Sequence, residues 1–151
     1  MISQKKNLDT KLRIAVLVFS LILSGLSYGQ TFPVGHMSIN FKDASRTGGY
    51  VISGGINMTG TGRDIGTEVY YPSTAAGNNQ PVALGQFPIV VIGHGFVMGW
   101  DSYDNIYNKL ASAGYIVLLP RTEGSFSPSH SEFGDDLKFL VNAGQSLNTV
   151  S

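Results

Sequence analysis

The sequence predicts an α/β fold, and three observations carry the prediction. Pro88 opens the β-branched run Ile89-Val90-Val91-Ile92, and Tyr115-Ile116-Val117-Leu118-Leu119 is a second apolar run. Neither alternates with polar residues, so each reads as a strand buried on both faces of a parallel sheet. Between them Tyr103, Ile106, Tyr107 and Leu110 recur at helical spacing, with Asp101 as the expected cap, Lys109 favouring the carboxyl end and Gly114 as the stop. A strand, a helix and a strand in that order cross over right-handed to give a parallel pair.

The break after Ile92, Gly93-His94-Gly95-Phe96-Val97-Met98-Gly99-Trp100, sits at the carboxyl end of its strand, where α/β sheets bind ligands. Two readings compete for it. Gly93, Gly95 and Gly99 resemble a dinucleotide fingerprint, in which helix-end amides hold a pyrophosphate. That motif wants an acidic residue after the next strand to hold a ribose, whereas Pro120 and Arg121 stand there. In the other reading, Gly93, His94 and Gly95 shape an oxyanion-hole turn whose donor is the backbone amide of Phe96, aimed at a carbonyl oxygen becoming negative. Met98, Trp100 and Arg121 are then candidates for a substrate pocket beside the turn. His94 is expected to brace the turn through hydrogen bonds to backbone rather than to act as a base, since a base needs a nucleophile within reach.

The remainder of the chain is read around that unit. Met37-Ser38-Ile39-Asn40-Phe41 alternates like a half-buried edge strand, ended by a polar turn at Lys42 to Arg46. Residues 48–66 are glycine-dense and read as a surface loop with at most a short strand at Tyr50 to Ile52. Thr67 to Tyr71 is a further strand stopped by Pro72, and residues 73–87 form a hairpin-like connection. Beyond the central unit, residues 120–130 form a loop at the carboxyl end of a parallel strand. Arg121 is expected to pair with Glu123 there, or to meet an anionic group of a substrate. Ser129 and Glu132 form a capping box for a helix whose apolar face is Phe133, Leu137, Leu140 and Val141, and Asp135 and Asp136 are explained as acids in its first turn. His36 and His130 are isolated in sequence, without a second ligand at metal spacing, so no metal is expected.

Lys5, Lys6, Lys11 and Arg13 precede the apolar run Ile14 to Leu23, and Ser27 and Gly29 are small residues placed for cleavage before Gln30. The run has the length of a signal-peptide core rather than a bilayer span. Residues 1–29 are therefore expected to be a cleaved signal peptide, leaving a secreted or periplasmic protein with no stable membrane span. Cleavage would leave six basic against nine acidic side chains, which argues against nucleic acid as a partner. The chain has no cysteine, which excludes thiol catalysis, thiolate metal sites and disulfides. About 120 residues suffice for one core.

Taken in order, the Tyr70-Tyr71-Pro72 strand end, the His94-Gly95-Phe96 turn, the helix and the second buried strand resemble the first half of a secreted α/β-hydrolase. The resemblance is to the group that contains dienelactone hydrolases, platelet-activating-factor acetylhydrolases, chlorophyllases and polyester hydrolases. It implies antiparallel entry strands, then a parallel strand-helix-strand unit and a further helix. It also implies acyl-enzyme hydrolysis of small-molecule or polymeric carboxylic esters without a cofactor. The family's nucleophile elbow, G-x-S-x-G, has no counterpart in the sequence. Gly144-Gln145-Ser146-Leu147-Asn148 follows a helix face and lacks the second glycine, so Ser146 reads as a helix-end turn. Residues 30–151 are thus expected to be the amino-terminal part of a single hydrolase domain, inactive alone. The alternatives are the dinucleotide-binding domain and a non-catalytic, degenerate hydrolase.

Overall fold

The computed structural model describes residues 31–47, 50–52, 56–58 and 61–148; the expected signal peptide lies outside the described residues. Seven strands and two helices follow in the order β1 (Val34–Thr47), β2 (Tyr50–Ile52), β3 (Ile56–Met58), β4 (Thr61–Pro72), β5 (Gly77–Asn78), β6 (Ile89–Val91), α1 (Asp104–Ser112), β7 (Ile116–Pro120) and α2 (His130–Ala143). Five strands form one sheet in the order β5-β1-β4-β7-β6, and β2 and β3 form a separate hairpin. β1 runs antiparallel to β4, and β4 antiparallel to β7 with Val69 opposite Leu118. β6 is parallel to β7 with Val91 opposite Leu118, the pairing expected of the strand-helix-strand unit.

The helices cover opposite faces. Ile65, Val69, Tyr71, Ile116 and Leu118 meet Leu140 and Phe139 of α2, while Val117 and Leu119 meet Tyr107, Ala111 and Leu110 of α1. β7 is therefore buried along its whole length, which is why its sequence is continuously apolar. Gly114, with φ of +96°, takes the left-handed conformation that ends α1, and the Ser129 hydroxyl accepts the Glu132 amide to open α2.

Several expectations are corrected. β1 does not end at Lys42 but runs on to Thr47, with its register shifting between Asp43 and Thr47. β4 starts at Thr61 inside the expected loop, so Arg63 and Ile65 are buried strand residues; a sequence rule that treats arginine as a surface signal misses a strand whose arginine is neutralised by distant acids. β6 is half-exposed rather than buried on both sides, because it is the edge of the sheet beyond β7. Asp101 is not the cap of α1. A 3₁₀ turn over Trp100–Tyr103 precedes the helix, with Gly99 at its start and no side-chain cap.

Leu118 is fully buried at the centre of the sheet and touches the α2-side core. Leu118→Ala is expected to cost about 2 to 5 kcal/mol of stability, read as a lower urea midpoint at unchanged slope. A loss below about 1 kcal/mol would show that the β4-β7-α2 contact is not the centre of the core.

Candidate functional site

The loops after β6 and β7 leave the same end of the parallel pair, and a hydrogen bond joins them. His94 Nε2 lies 2.8 Å from the carbonyl oxygen of Thr122, and Nδ1 lies 3.1 Å from that of Gly95. A carbonyl only accepts, so each contact draws a proton to the ring nitrogen that makes it, and the Thr122 contact is the shorter. His94 thus braces the turn against backbone, as expected, and its ring packs on Phe133 at 4.7 Å between centroids.

The turn itself is Gly95 to Met98, closed by the Met98 amide donating to the Gly95 carbonyl at 3.1 Å. The Gly95 amide donates to the Tyr103 hydroxyl at 2.9 Å. Val97 has φ of +56°, a left-handed conformation that costs a β-branched side chain of order 1 to 3 kcal/mol. The Phe96 amide has no hydrogen-bond partner among the described residues. Gly93, Gly95 and Gly99 are not the residues in the left-handed region; they supply space instead. A Cβ on Gly93 would come within 3.1 Å of Leu137 and 3.2 Å of Phe133, whereas one on Gly99 would meet the movable carboxylate of exposed Asp101. The side chains of Phe96, Val97 and Met98 are exposed on the turn, and that of Phe126 is exposed on the loop after β7.

Beneath the second loop lies a network of buried charges. Arg63 donates from Nε and Nη2 to the two carboxylate oxygens of Asp136, at 2.9 and 2.7 Å, and from Nη2 to Glu123 at 2.9 Å. Asp136, fully buried, also accepts from the Thr122 hydroxyl at 2.6 Å and from Arg46. Arg46 reaches Asp43 at 2.9 Å and Glu132 at 3.3 Å. The hydrogen bonds to Asp136 and Glu123 hold the Arg63 guanidinium above its ordinary pKa against the opposing effect of burial. Buried carboxylates outnumber these arginines, and neutral donors take up the difference: Ser45 on Asp43, Thr122 on Asp136 and the Ser129 amide on Glu123. Glu123 itself has φ of +60°.

Asp136 is therefore not a solvated first-turn acid, although Asp135 is exposed. The expected Arg121–Glu123 pair does not form, because Glu123 points inward to Arg63 while Arg121, half-exposed, meets Glu68 at 3.3 Å. Trp100 turns from the loop toward α1 and joins an aromatic cluster with Tyr70 and Tyr107, whose rings stack at 4.0 Å. Burial first, and the Tyr107 hydrogen bond second, push the Tyr70 phenol above its ordinary pKa and keep it neutral. His36 lies on strand β1, 2.6 Å from Glu68 and stacked on Tyr70, and His130 is the exposed first residue of α2. No group of three or more metal-ligating side chains occurs among the described residues. Ser146 caps the end of α2 by donating to the Ala143 carbonyl at 2.7 Å, a helix-end turn and not an elbow.

A family model described as Chlorophyllase matches residues 59–142, more than half of the chain. The chain belongs to the chlorophyllase family. Among solved structures, a ferulic acid esterase from Streptomyces cinnamoneus superposes with a TM-score of 0.50 at 22% identity. The match covers 62% of this chain and 35% of the esterase, so the chain spans about a third of that protein's length. No curated sequence relative matches. At that identity the esterase shows the fold alone, an α/β-hydrolase fold. The antiparallel entry strands β1 and β4 suit such a hydrolase and not a doubly wound dinucleotide-binding sheet. Among the described residues no helix of this family member is long and apolar enough to cross a membrane.

Acid titration checks the network at Asp43. The Ser45 hydroxyl above all, with the Ser45 amide and Arg46 adding to it, holds its carboxyl below the ordinary value of 3.8, against the opposing effect of burial, second in size only to the Ser45 hydroxyl. A depressed folded pKa gives stability that is present above 3.8 and lost as pH falls through the folded value. Asp43→Asn is expected to lower stability near neutrality and to converge on the wild type as pH drops below 3.8. A constant difference between the two proteins across that window would contradict it.

Proposed function

We propose that the chain supplies the oxyanion-hole turn of an exported serine hydrolase acting on carboxylic esters. The nucleophilic serine, its acid and its base would come from polypeptide other than these residues. The observation that carries the reading is the Phe96 amide, which has no partner among the described residues at the carboxyl end of β6, in a turn braced by His94 and Tyr103. When a serine Oγ attacks the ester carbon, the carbonyl oxygen takes the negative charge. A preorganised N–H aimed at that oxygen stabilises the transition state without reorganising. The left-handed Val97 supports the reading, since strain of that kind persists where surrounding contacts over-determine it and clusters at functional sites. The exposed Phe96, Val97 and Met98 side chains would meet the apolar part of the substrate, and of the expected pocket residues Met98 alone belongs to the turn. Arg121 would stand further off, occupied by Glu68, and Trp100 would support the pocket wall from below. Export rests on the basic start, apolar core and small-residue exit of residues 1–29, and the mildly acidic remainder speaks against nucleic acid as a partner.

Backbone substitution separates the amide from the side chain. Phe96 occupies the second position of a four-residue turn, where proline is tolerated, so Phe96→Pro deletes the donor with little rearrangement, and Phe96→Ala keeps it. In a polypeptide carrying this chain together with its strand-borne serine, the proline variant is expected to lose roughly 10²- to 10³-fold in kcat on an aryl ester with a modest change in KM. The alanine variant should change mainly KM. Equal kcat values in two variants that melt alike would remove the Phe96 amide from the mechanism.

A further inference from the structure

We infer that Thr122 and Glu123, held by Arg63 and Asp136, are positioning residues that set the tautomer of His94 and through it the aim of the Phe96 amide. The inference rests on the oxyanion reading for its catalytic meaning and on geometry for its existence. Starting from the turn, His94 Nε2 contacts the carbonyl oxygen of Thr122 at 2.8 Å. That carbonyl cannot move freely, because the hydroxyl of the same residue donates to Asp136 at 2.6 Å and the next residue, Glu123, is gripped at both carboxylate oxygens. Its Oε1 accepts from Arg63 at 2.9 Å and its Oε2 from the Ser129 amide at 2.5 Å. Glu123 is left-handed at φ of +60°, so the backbone at this point is in a conformation that an unsupported glutamate would leave. The carboxylate grip holds it there.

Two left-handed, non-glycine residues, Val97 and Glu123, thus lie on the two loops that the His94–Thr122 hydrogen bond connects. A ring with only one proton satisfies one of its two facing carbonyls, and the position of the Thr122 carbonyl decides which. With Nε2–H donated to Thr122, the ring is held by the loop after β7, and the Gly95 carbonyl keeps the Met98 amide as its donor. If the Thr122 carbonyl swings off, the proton moves to Nδ1 and the Gly95 carbonyl gains a second donor one bond from the Phe96 amide. The charge network is therefore the fixed end of a strut that reaches from β4 and α2 to the reacting position, although none of its charged groups touches substrate.

The test uses Thr122→Val, which keeps the backbone carbonyl and removes the hydroxyl donor, and Glu123→Gln, which breaks the symmetric grip without removing the side chain. Glu132→Gln is the control, since Glu132 touches Arg46 in the same network but lies off the path to His94. Two readouts are taken on the full chain in its ester-hydrolysing protein. In ¹⁵N–¹H spectra of the imidazoles, the wild type and Glu132→Gln should show His94 as a single Nε2–H tautomer with a slowly exchanging proton. Thr122→Val and Glu123→Gln should show averaged tautomers and faster exchange. In ester hydrolysis, the same two variants should lose roughly 10- to 100-fold in kcat with little change in KM, the size expected when a reacting group is misplaced rather than removed. An unchanged His94 tautomer in both variants overturns the inference, as does an altered tautomer with wild-type kcat. A wild type that hydrolyses no ester sinks the oxyanion reading instead, and the tautomer spectra alone then decide the strut.

Discussion

Arg63 and Asp136 meet through two parallel hydrogen bonds, both side chains removed from water, and three parts of the chain are fixed by that contact. Arg63 belongs to β4, Asp136 to α2, and Glu123 and Thr122, which share the pair, to the loop after β7. Taking each ion out of water costs several kcal/mol, which their attraction offsets only when geometry and further hydrogen bonds are good, so such a pair is a poor source of net stability. What it supplies is registry. An apolar residue could slide along the α2 face, whereas a bidentate guanidinium–carboxylate contact admits one arrangement. No buried side-chain nitrogen or oxygen among the described residues lacks a partner, so the cost of a half-satisfied network is avoided.

The same registry explains how a short turn can hold a strained valine. Tyr103 and His94 support the Gly93-to-Met98 segment through hydrogen bonds, and His94 in turn depends on Thr122. Close packing of Gly93 against Phe133 and Leu137 ties the turn to α2 as well, the helix that carries Asp136. Sheet, helix and charge network therefore converge on the point where the Phe96 amide is left without a partner among the described residues. The side chains of Phe96, Val97 and Met98 are exposed on that same turn.

How much of this was legible in the sequence follows from where each signal came from. β6, α1 and β7 were readable because apolar periodicity and punctuation by Pro88, Gly114 and Pro120 are local. The helix opened by Ser129 and Glu132 was readable from its capping pattern, and His94 as a brace from the lack of a nearby nucleophile. Arg63, Glu123 and Asp136 were not readable, because a buried arginine and a solvated one look alike until the acids around it are placed, and these come from positions far away in sequence. The misassigned Arg121–Glu123 pair has the same origin: adjacency in sequence favoured it, while the left-handed backbone at Glu123 turns its side chain inward to Arg63. The extent of β1 and β4 was missed for a related reason, since Asp43, Arg46 and Arg63 read as turn residues when their charges are counted without partners.

A double-mutant cycle on Arg63 and Asp136 tests the central claim most directly. Arg63→Met and Asp136→Leu each leave buried charges without their partner and should each lose about 3 to 5 kcal/mol of stability in denaturant unfolding. Combined, they should lose far less than the sum, a coupling well above the roughly 0.5 kcal/mol within which independent sites add. Additive losses within that margin would mean that the two side chains do not depend on each other, and that the loop after β7 is held by something other than the buried pair.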